Sequence, residues 1–266
     1  MKDNESGLES IENIMSRIKN NSEFCEIIPW DSDLFGFNIA EIINPYCPNN
    51  QDFDVFMREI DSWCAKENIK MLGVRVSQSS VVEINSFENN GFNFIELNFK
   101  PYINLDISPD YNLTRDYRFV EASAIDLEFI SMVAGGIYSH GRYHQDPNVD
   151  NDTANQRYSN WVKNISNFTN QKLYKCINSE NDITAFFLIN HDKESCFLSL
   201  VGILPGFQGK GLSVVIWKEM LMFFKSLGFS SVATSISSHN LAVMNLYVKL
   251  GFRFPEPLVT LHKWYE

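Results

Sequence analysis

The segment VRVSQSSVVEINSFENNGFNFIE, residues 74–96, returns without a gap 160 positions later as TSISSHNLAVMNLYVKLGFRFPE. Identities fall at Ser77/Ser237, Asn85/Asn245, Gly91/Gly251, Phe92/Phe252, Phe94/Phe254 and Glu96/Glu256. Each copy reads as an alternating strand, a helix with apolar residues three and four apart, a glycine stop and a second strand. A generic strand–helix–Gly unit explains the glycine, but identities in order and in register argue for duplication. The chain is therefore expected to be α/β, with two related halves within its 266 residues. The copies differ where chemistry could sit: Tyr247 stands where the first has Phe87, and Asn240 where it has Ser80.

Residues 1–20 read as a polar lead-in with a short amphipathic helix (Leu8, Ile11, Ile14, Met15, Ile18). A first domain, 21–110, holds strands at 25–30 and 37–42, a helix over 52–66, a strand in MLGVRVS, a helix over 80–89 and a strand in FNFIELNFKPYINL. The polar DISPDYNLTRD leads to a second domain, 114–266. There we expect a strand at 117–121, a helix over 124–134, an irregular GGIYSHGRYHQDPNVD and a helix over 152–164. Strands at 173–178, 183–190 and 196–204 follow, then a helix to 227 stopped by Gly228. A strand at 231–236, a helix over 240–250 and terminal strands in FRFPEPLVTLHKW complete the pattern.

Several function classes drop out. A net charge of −11 argues against nucleic acid, whose binding depends on neutralising phosphates. There is no long apolar run, so no membrane span is expected. The opening MKDNESGLES is polar and acidic, unlike a signal peptide, which points to the cytoplasm. The five cysteines are scattered without a C-x-x-C, and the five histidines form no H-E-x-x-H, so neither disulfides nor a metal are expected. Cys176 and Cys196 fall inside strand patterns, poor positions for a nucleophile.

LSLVGILPGFQGKGLSVVIW carries a strand into a glycine cluster and then a helix. A Walker loop would need glycine at 204 and Ser or Thr after Lys210; the residues are Leu204 and Gly211. A dinucleotide fingerprint starting at Gly209 would need glycine at 214, which is Val214. What remains is Gln208-Gly209-Lys210-Gly211-Leu212-Ser213 opening a helix. First-turn N–H groups have no partner within the helix, and glycines let a phosphate approach them. Two glycines there are locally unfavourable, which a plain turn does not require.

ILPGFQGKGLS followed by HNLAVMNLYVKLGF resembles the Gcn5-related N-acetyltransferase (GNAT) superfamily, with its Q/R-x-x-G-x-G/A loop and N…Y…GF helix. The resemblance covers roughly 114–266 and implies a GNAT fold there, preceded by a degenerate half-GNAT region. It implies acyl-coenzyme A as cosubstrate, its pyrophosphate on the amides of Gln208, Gly209, Lys210, Gly211, Leu212 and Ser213. The pantetheine arm would run along Val201 and Ile203, and Asn240 would cap the helix that carries Tyr247. Ser213 and Val243 stand where the family has smaller residues. Tyr247 matches the family's proton donor to the departing thiolate. A phenol with pKa ~10 cannot fully protonate a free thiolate of pKa ~8.5 without an uphill step of ~2 kcal/mol. Its role is then a hydrogen bond as the carbon–sulfur bond breaks, the attacking ammonium supplying the proton.

IPWDSDLFGFNIAEI and GRYHQDPNVDNDTANQRYSNWVKNI are similar to GNAT enzymes of the dTDP-fucosamine acetyltransferase type, which acylate nucleotide-linked amino sugars. The implied reaction moves an acetyl or 3-hydroxybutyryl group to a 3- or 4-amino deoxysugar by direct attack, for surface polysaccharide. Arg142 could hold a phosphate or carboxylate, and His144 and Asp146 sugar hydroxyls or an amine proton. Each also reads as part of an ordered loop, with Asp146 capping a turn before Pro147. Alternatives are a GNAT acting on another small amine or a peptide, and a non-catalytic coenzyme A-binding module. A homodimer is a family-level expectation.

Overall fold

The computed structural model describes residues 24–43, 45, 50–107, 111 and 116–266; the expected helix within 1–20 lies outside them. The described chain divides into two compact units: residues up to Ile95 together with Leu258–Glu266, and Glu96–Pro257.

The first unit contains β1 (Cys25–Ile27), α1 (Pro29–Phe35), β2 (Asn38–Ile42), α2 (Asn50–Lys66), β3 (Ile69–Ser77), α3 (Val81–Asn89) and β12 (Leu258–Trp264). β1 and β2 are antiparallel, β2 and β3 parallel, and β12 lies antiparallel on β3. The sequence pattern extended the first strand to residue 30. Instead Pro29 starts a helix, where its missing N–H costs nothing, and Gly36 at φ 75° ends it. Phe53, Phe56, Met57 and Ile60 of α2 are buried, as are Met71, Leu72 and Val74 of β3 and Phe87 of α3.

The second unit contains β5 (Tyr102–Asn104), β6 (Arg118–Glu121), α4 (Ala124–Ile137), α5 (Arg142–Gln145), α6 (Asn151–Lys163), β7 (Gln171–Ile177), β8 (Ile183–His191) and β9 (Ser195–Ile203). It continues with α7 (Ser213–Ser226), β10 (Ser231–Thr234), β11 (Ile236–Ser237) and α8 (Leu241–Lys249). Its sheet runs β5-β10-β9-β8-β7-β6, all neighbours antiparallel except the parallel pair β9–β10. β4 (Asn93–Phe99) begins in the first unit and ends in the second, where it pairs with β11. One apolar cluster joins Trp217, Met220 and Phe224 of α7 with Tyr247 of α8. On the opposite face, Ile130 and Ala134 of α4 and Val162 of α6 pack on Phe186, Leu188 and Leu200.

The repeat recurs in local detail. Gly91 and Gly251 end their helices at φ 86° and 84°. The next N–H reaches back alike: Phe92 to Phe87 O at 3.1 Å, Phe252 to Tyr247 O at 3.0 Å. The final strands, however, are exchanged. His262, Lys263 and Trp264 face Gly73, Leu72 and Met71 of the first copy. Tyr102, Ile103 and Asn104 face Ala233, Val232 and Ser231 of the second. Shifting either register by 160 gives the other. For that reason the compact units do not follow the expected division into 21–110 and 114–266. The single strand expected in FNFIELNFKPYINL is also interrupted. Pro101 has no N–H for a ladder, and its carbonyl instead accepts from Thr234 N at 3.0 Å.

Candidate active site

β9 and β10 pair from Ser195/Ser231 to Leu198/Thr234, where β10 ends and β9 runs on to Ile203. The strands thus fork at Thr234. On its other side β9 pairs Leu198 with Ile189 and Leu200 with Leu188, leaving Ser199 as a bulge at the fork. Beyond it, among the described residues, the edge lacks a strand partner, and side chains take its carbonyls. Tyr138 Oη donates to Val201 O at 2.9 Å and Gln208 Nε2 to Ile203 O at 2.8 Å. Between them Gly202 has no room for a side chain: a Cβ would lie 2.3 Å from Ile137 Cδ1. Glycine there lets the end of α4 close on β9.

After Ile203 the chain makes a short turn, Pro205–Phe207, and then the exposed stretch 208–211. Gly209 and Gly211 lie at φ 72° and 73°, where an L side chain is strained, and neither has an atom within 4 Å of a Cβ position. Leu212 precedes α7, and no side chain caps the helix start at Ser213. Its first N–H groups and the positive end of its dipole are thus left for an anion. Lys210 Nζ stands 5.3 Å from the Phe207 ring centroid.

Tyr247 is fully buried beside Phe252, at 4.6 Å between centroids, on the helix that Asn240 caps by accepting from Val243 N at 3.2 Å. Its hydroxyl makes no hydrogen bond of acceptable geometry. Burial pushes its pKa up, while Trp217 and Thr234, the polar groups nearest it, act in the opposite direction. Thr234 is the last residue of β10, so the hydroxyl sits at the fork. It is a phenol held protonated, able to donate. A buried hydroxyl without a partner costs ~1–3 kcal/mol, which a purely structural tyrosine would not retain. By contrast, burial raises the thiols of Cys176 and Cys196 to about 12, so neither is a ready nucleophile. Among the described residues no cluster could hold a metal ion.

The segment GGIYSHGRYHQDPNVD, expected to be irregular, contains the helical turn α5. Arg142 Nη2 donates to Tyr143 Oη at 3.1 Å, and its guanidinium lies 4.9 Å from the centroid of that buried ring. His144 Nε2 pairs with Asn155 Oδ1 at 2.9 Å, and its Nδ1 is buried without a partner. Asp146, 2% exposed, accepts from Asn148 N at 2.9 Å, the turn-capping arrangement that its position before Pro147 suggested.

Sequence reasoning passed over Tyr138, Asn155, Arg157 and Tyr158. The Arg157 guanidinium lies 5.3 Å from the Tyr143 ring. Tyr138 stacks on Tyr158 at 4.5 Å and Tyr158 on His144 at 5.8 Å. Tyr138 thereby ties this segment to the strand edge, since its hydroxyl is the one on Val201 O. Burial drives that hydroxyl well above the usual phenol range, and the neighbouring Tyr158 and Tyr247 add to the rise. The three-residue spacing of Asn155 and Tyr158 on α6 was the available signal.

Residues 140–252 match the family model for the acetyltransferase (GNAT) family. The spore coat polysaccharide biosynthesis protein SpsD of Bacillus subtilis is 26% identical over 141 residues, 52% of this chain and 48% of that protein. The chain thus spans about half the length of this curated relative. A functionally unknown protein from Staphylococcus epidermidis has the same fold, with TM-score 0.67, 11% identity, and coverage of 92% and 93% of the two chains. So do a GCN5-related N-acetyltransferase from Sphaerobacter thermophilus (TM-score 0.63, 10% identity, 90% and 76% covered) and a tandem GNAT protein from the clavulanic acid pathway (0.56, 8%, 85% and 75%). Residues 140–252 thus match the GNAT acetyltransferase family model, and the described chain has the fold of these structures.

Proposed function

We propose that this chain transfers an acyl group from acyl-CoA to the amine of a nucleotide-linked amino sugar, a dTDP-3-amino or dTDP-4-amino deoxysugar, by direct attack. The observation that carries this reading is the protonated, unpartnered Tyr247 hydroxyl at the fork below a glycine-led helix start. The sugar rests on GRYHQDP and on the similarity to a protein named for polysaccharide biosynthesis.

Acyl-CoA supplies a thioester carbonyl and a thiolate leaving group. The described residues fit it. The backbone N–H groups of Gln208, Gly209, Lys210, Gly211, Leu212 and Ser213 receive the pyrophosphate. The edge at Val201 and Ile203 pairs with the pantetheine amides once the Tyr138 and Gln208 side chains release it. Tyr247 donates at the sulfur, and Asn240 holds the helix that positions it. Arg142 recognises phosphate. His144 offers Nδ1, because Asn155 occupies Nε2. Asp146, engaged with Asn148, shapes the loop. A cytoplasmic location and a homodimer belong to the same reading; among the described residues no helix is long and apolar enough to cross a membrane.

The test is thiol release from acetyl-CoA and longer acyl-CoAs against a panel of dTDP-3-amino and dTDP-4-amino sugars. Turnover on at least one is expected. Turnover confined to peptides, polyamines or aminoglycosides would overturn the acceptor assignment.

A further inference from the structure

Asn98 is 7% exposed and pairs with Ser237 in the short ladder between β4 and β11. The adjacent pair, Phe99 and Ile236, faces the cluster that contains Tyr247. Alternation along the strands turns Asn98 and Ser237 to the other face of this ladder. There Ser235, the exposed residue immediately after the fork, donates its Oγ–H to Asn98 Oδ1 at 2.8 Å. The Asn98 Nδ2 group makes no hydrogen bond with any described residue. Asparagine is disfavoured in strands, and the Nδ2 donor, which is not sealed in the interior, stands open to solvent or to a ligand.

The duplication provides an internal control. The same register in the other unit places Leu258 opposite Ser77, and the residue equivalent to Ser235 is Arg75, bonded to Glu41 at 3.0 Å. The unit without the glycine loop and the tyrosine hydroxyl also lacks the Asn–Ser pair. The polar pair therefore follows the chemistry, not the scaffold. Asn98 itself lies in the sequence of the first copy and reaches the fork through strand exchange.

We infer that Asn98 Nδ2 donates a hydrogen bond to an acceptor-substrate oxygen close to the reacting amine, with Ser235 fixing the amide's orientation. The ligand class is a hydroxylated amine, so this inference rests on the amino-sugar reading and narrows it. Tyr247 serves the leaving sulfur from one face of the fork, and Asn98 holds the incoming molecule from the other.

The experiment compares Asn98→Ala and Asn98→Asp with wild type. It measures KM and kcat separately for amino sugar and acyl-CoA, and coenzyme A affinity by calorimetry. Asn98→Asp keeps the oxygen that accepts from Ser235 and replaces the donor with a charged acceptor, so it serves if Asn98→Ala does not fold. Each variant should raise the acceptor KM ~10-fold, the effect of one hydrogen bond, with coenzyme A affinity unchanged. An acceptor analogue lacking the hydroxyl beside its amine should erase the difference from wild type. An unchanged acceptor KM, or an equal loss of coenzyme A affinity, overturns the inference. Turnover of amino sugars with indifferent Asn98 variants sinks this inference alone. If wild type acylates only amines without hydroxyls, both readings fall.

Discussion

The two copies of the repeat share a scaffold and differ in equipment. In one, β2 ends at Ile42, level with Val74 on β3. In the other, β9 continues from Leu198 to Ile203 past the end of β10. Ahead of α7 lie Gly206, Gly209 and Gly211; the residues before α2, INPYCPN, include no glycine. Phe87 fills its pocket with an apolar ring against Phe53 at 4.9 Å, where Tyr247 brings a hydroxyl with no partner. The comparison teaches that folding does not need the forked edge, the glycines or the phenol. They are additions that leave backbone groups and one hydroxyl unsatisfied, as a ligand-binding site does.

The largest effect should come from Tyr247→Phe, which makes the second copy match the first. We expect kcat to fall ~10²–10³-fold, the range for removing one hydrogen-bond donor to developing charge. Thermal stability should hold or rise, because an unpaired buried hydroxyl disappears. Stopped-flow thiol release and calorimetric melting measure the two. Since the Tyr247 pKa is raised, its phenol stays protonated throughout neutral and mildly alkaline pH. Wild-type kcat should therefore show no loss attributable to this group until above pH ~10.

Next in size is Gly211→Val. At φ 73° a β-branched side chain is strained, and it also covers the helix start. The acyl-CoA KM should rise by at least ~10-fold, from ~1–2 kcal/mol, with the acceptor KM little changed. Equal effects on both substrates would argue for a misfolded loop.

Phe87→Tyr is the reverse exchange. It should lower stability by ~1–3 kcal/mol, because it buries a hydroxyl without a partner, and give no new activity. A gain in turnover would mean that the first copy retains a usable site.

The smallest effect concerns the scaffold under the acceptor segment. Burial alone would raise the Asp126 carboxyl, but hydrogen bonds from Lys175 Nζ at 2.7 Å and from Ser123 hold it below the usual range. Asp126→Asn should therefore cost ~1 kcal/mol at neutral pH through the weakened α4 cap. Because the folded pKa is depressed, the difference from wild type should shrink as pH falls through and below ~4, as denaturation series at several pH values would show.

The candidate site was legible because its signals are local. Gly209, Gly211, Asn240 and Tyr247 stand at spacings that one helix and one turn dictate. The repeat is likewise a local pattern seen twice. The helix at Pro29–Phe35 was missed although Pro29 and Gly36 mark its ends, because its apolar residues also fit a strand. The exchange of β5 and β12 left no local trace. Their pairings join residues far apart in sequence, and either strand satisfies either sheet by pattern alone. Asn98 was invisible for the same reason: its partner Ser235 is 137 positions away.

The central claim is that one copy acts and the other only folds. Calorimetric titration of the full chain with coenzyme A tests it most directly. The account predicts one site per chain, weakened at least ~10-fold by Gly211→Val and preserved in Phe87→Tyr. Two sites per chain, or one site of unchanged affinity in a folded Gly211→Val protein, would contradict it.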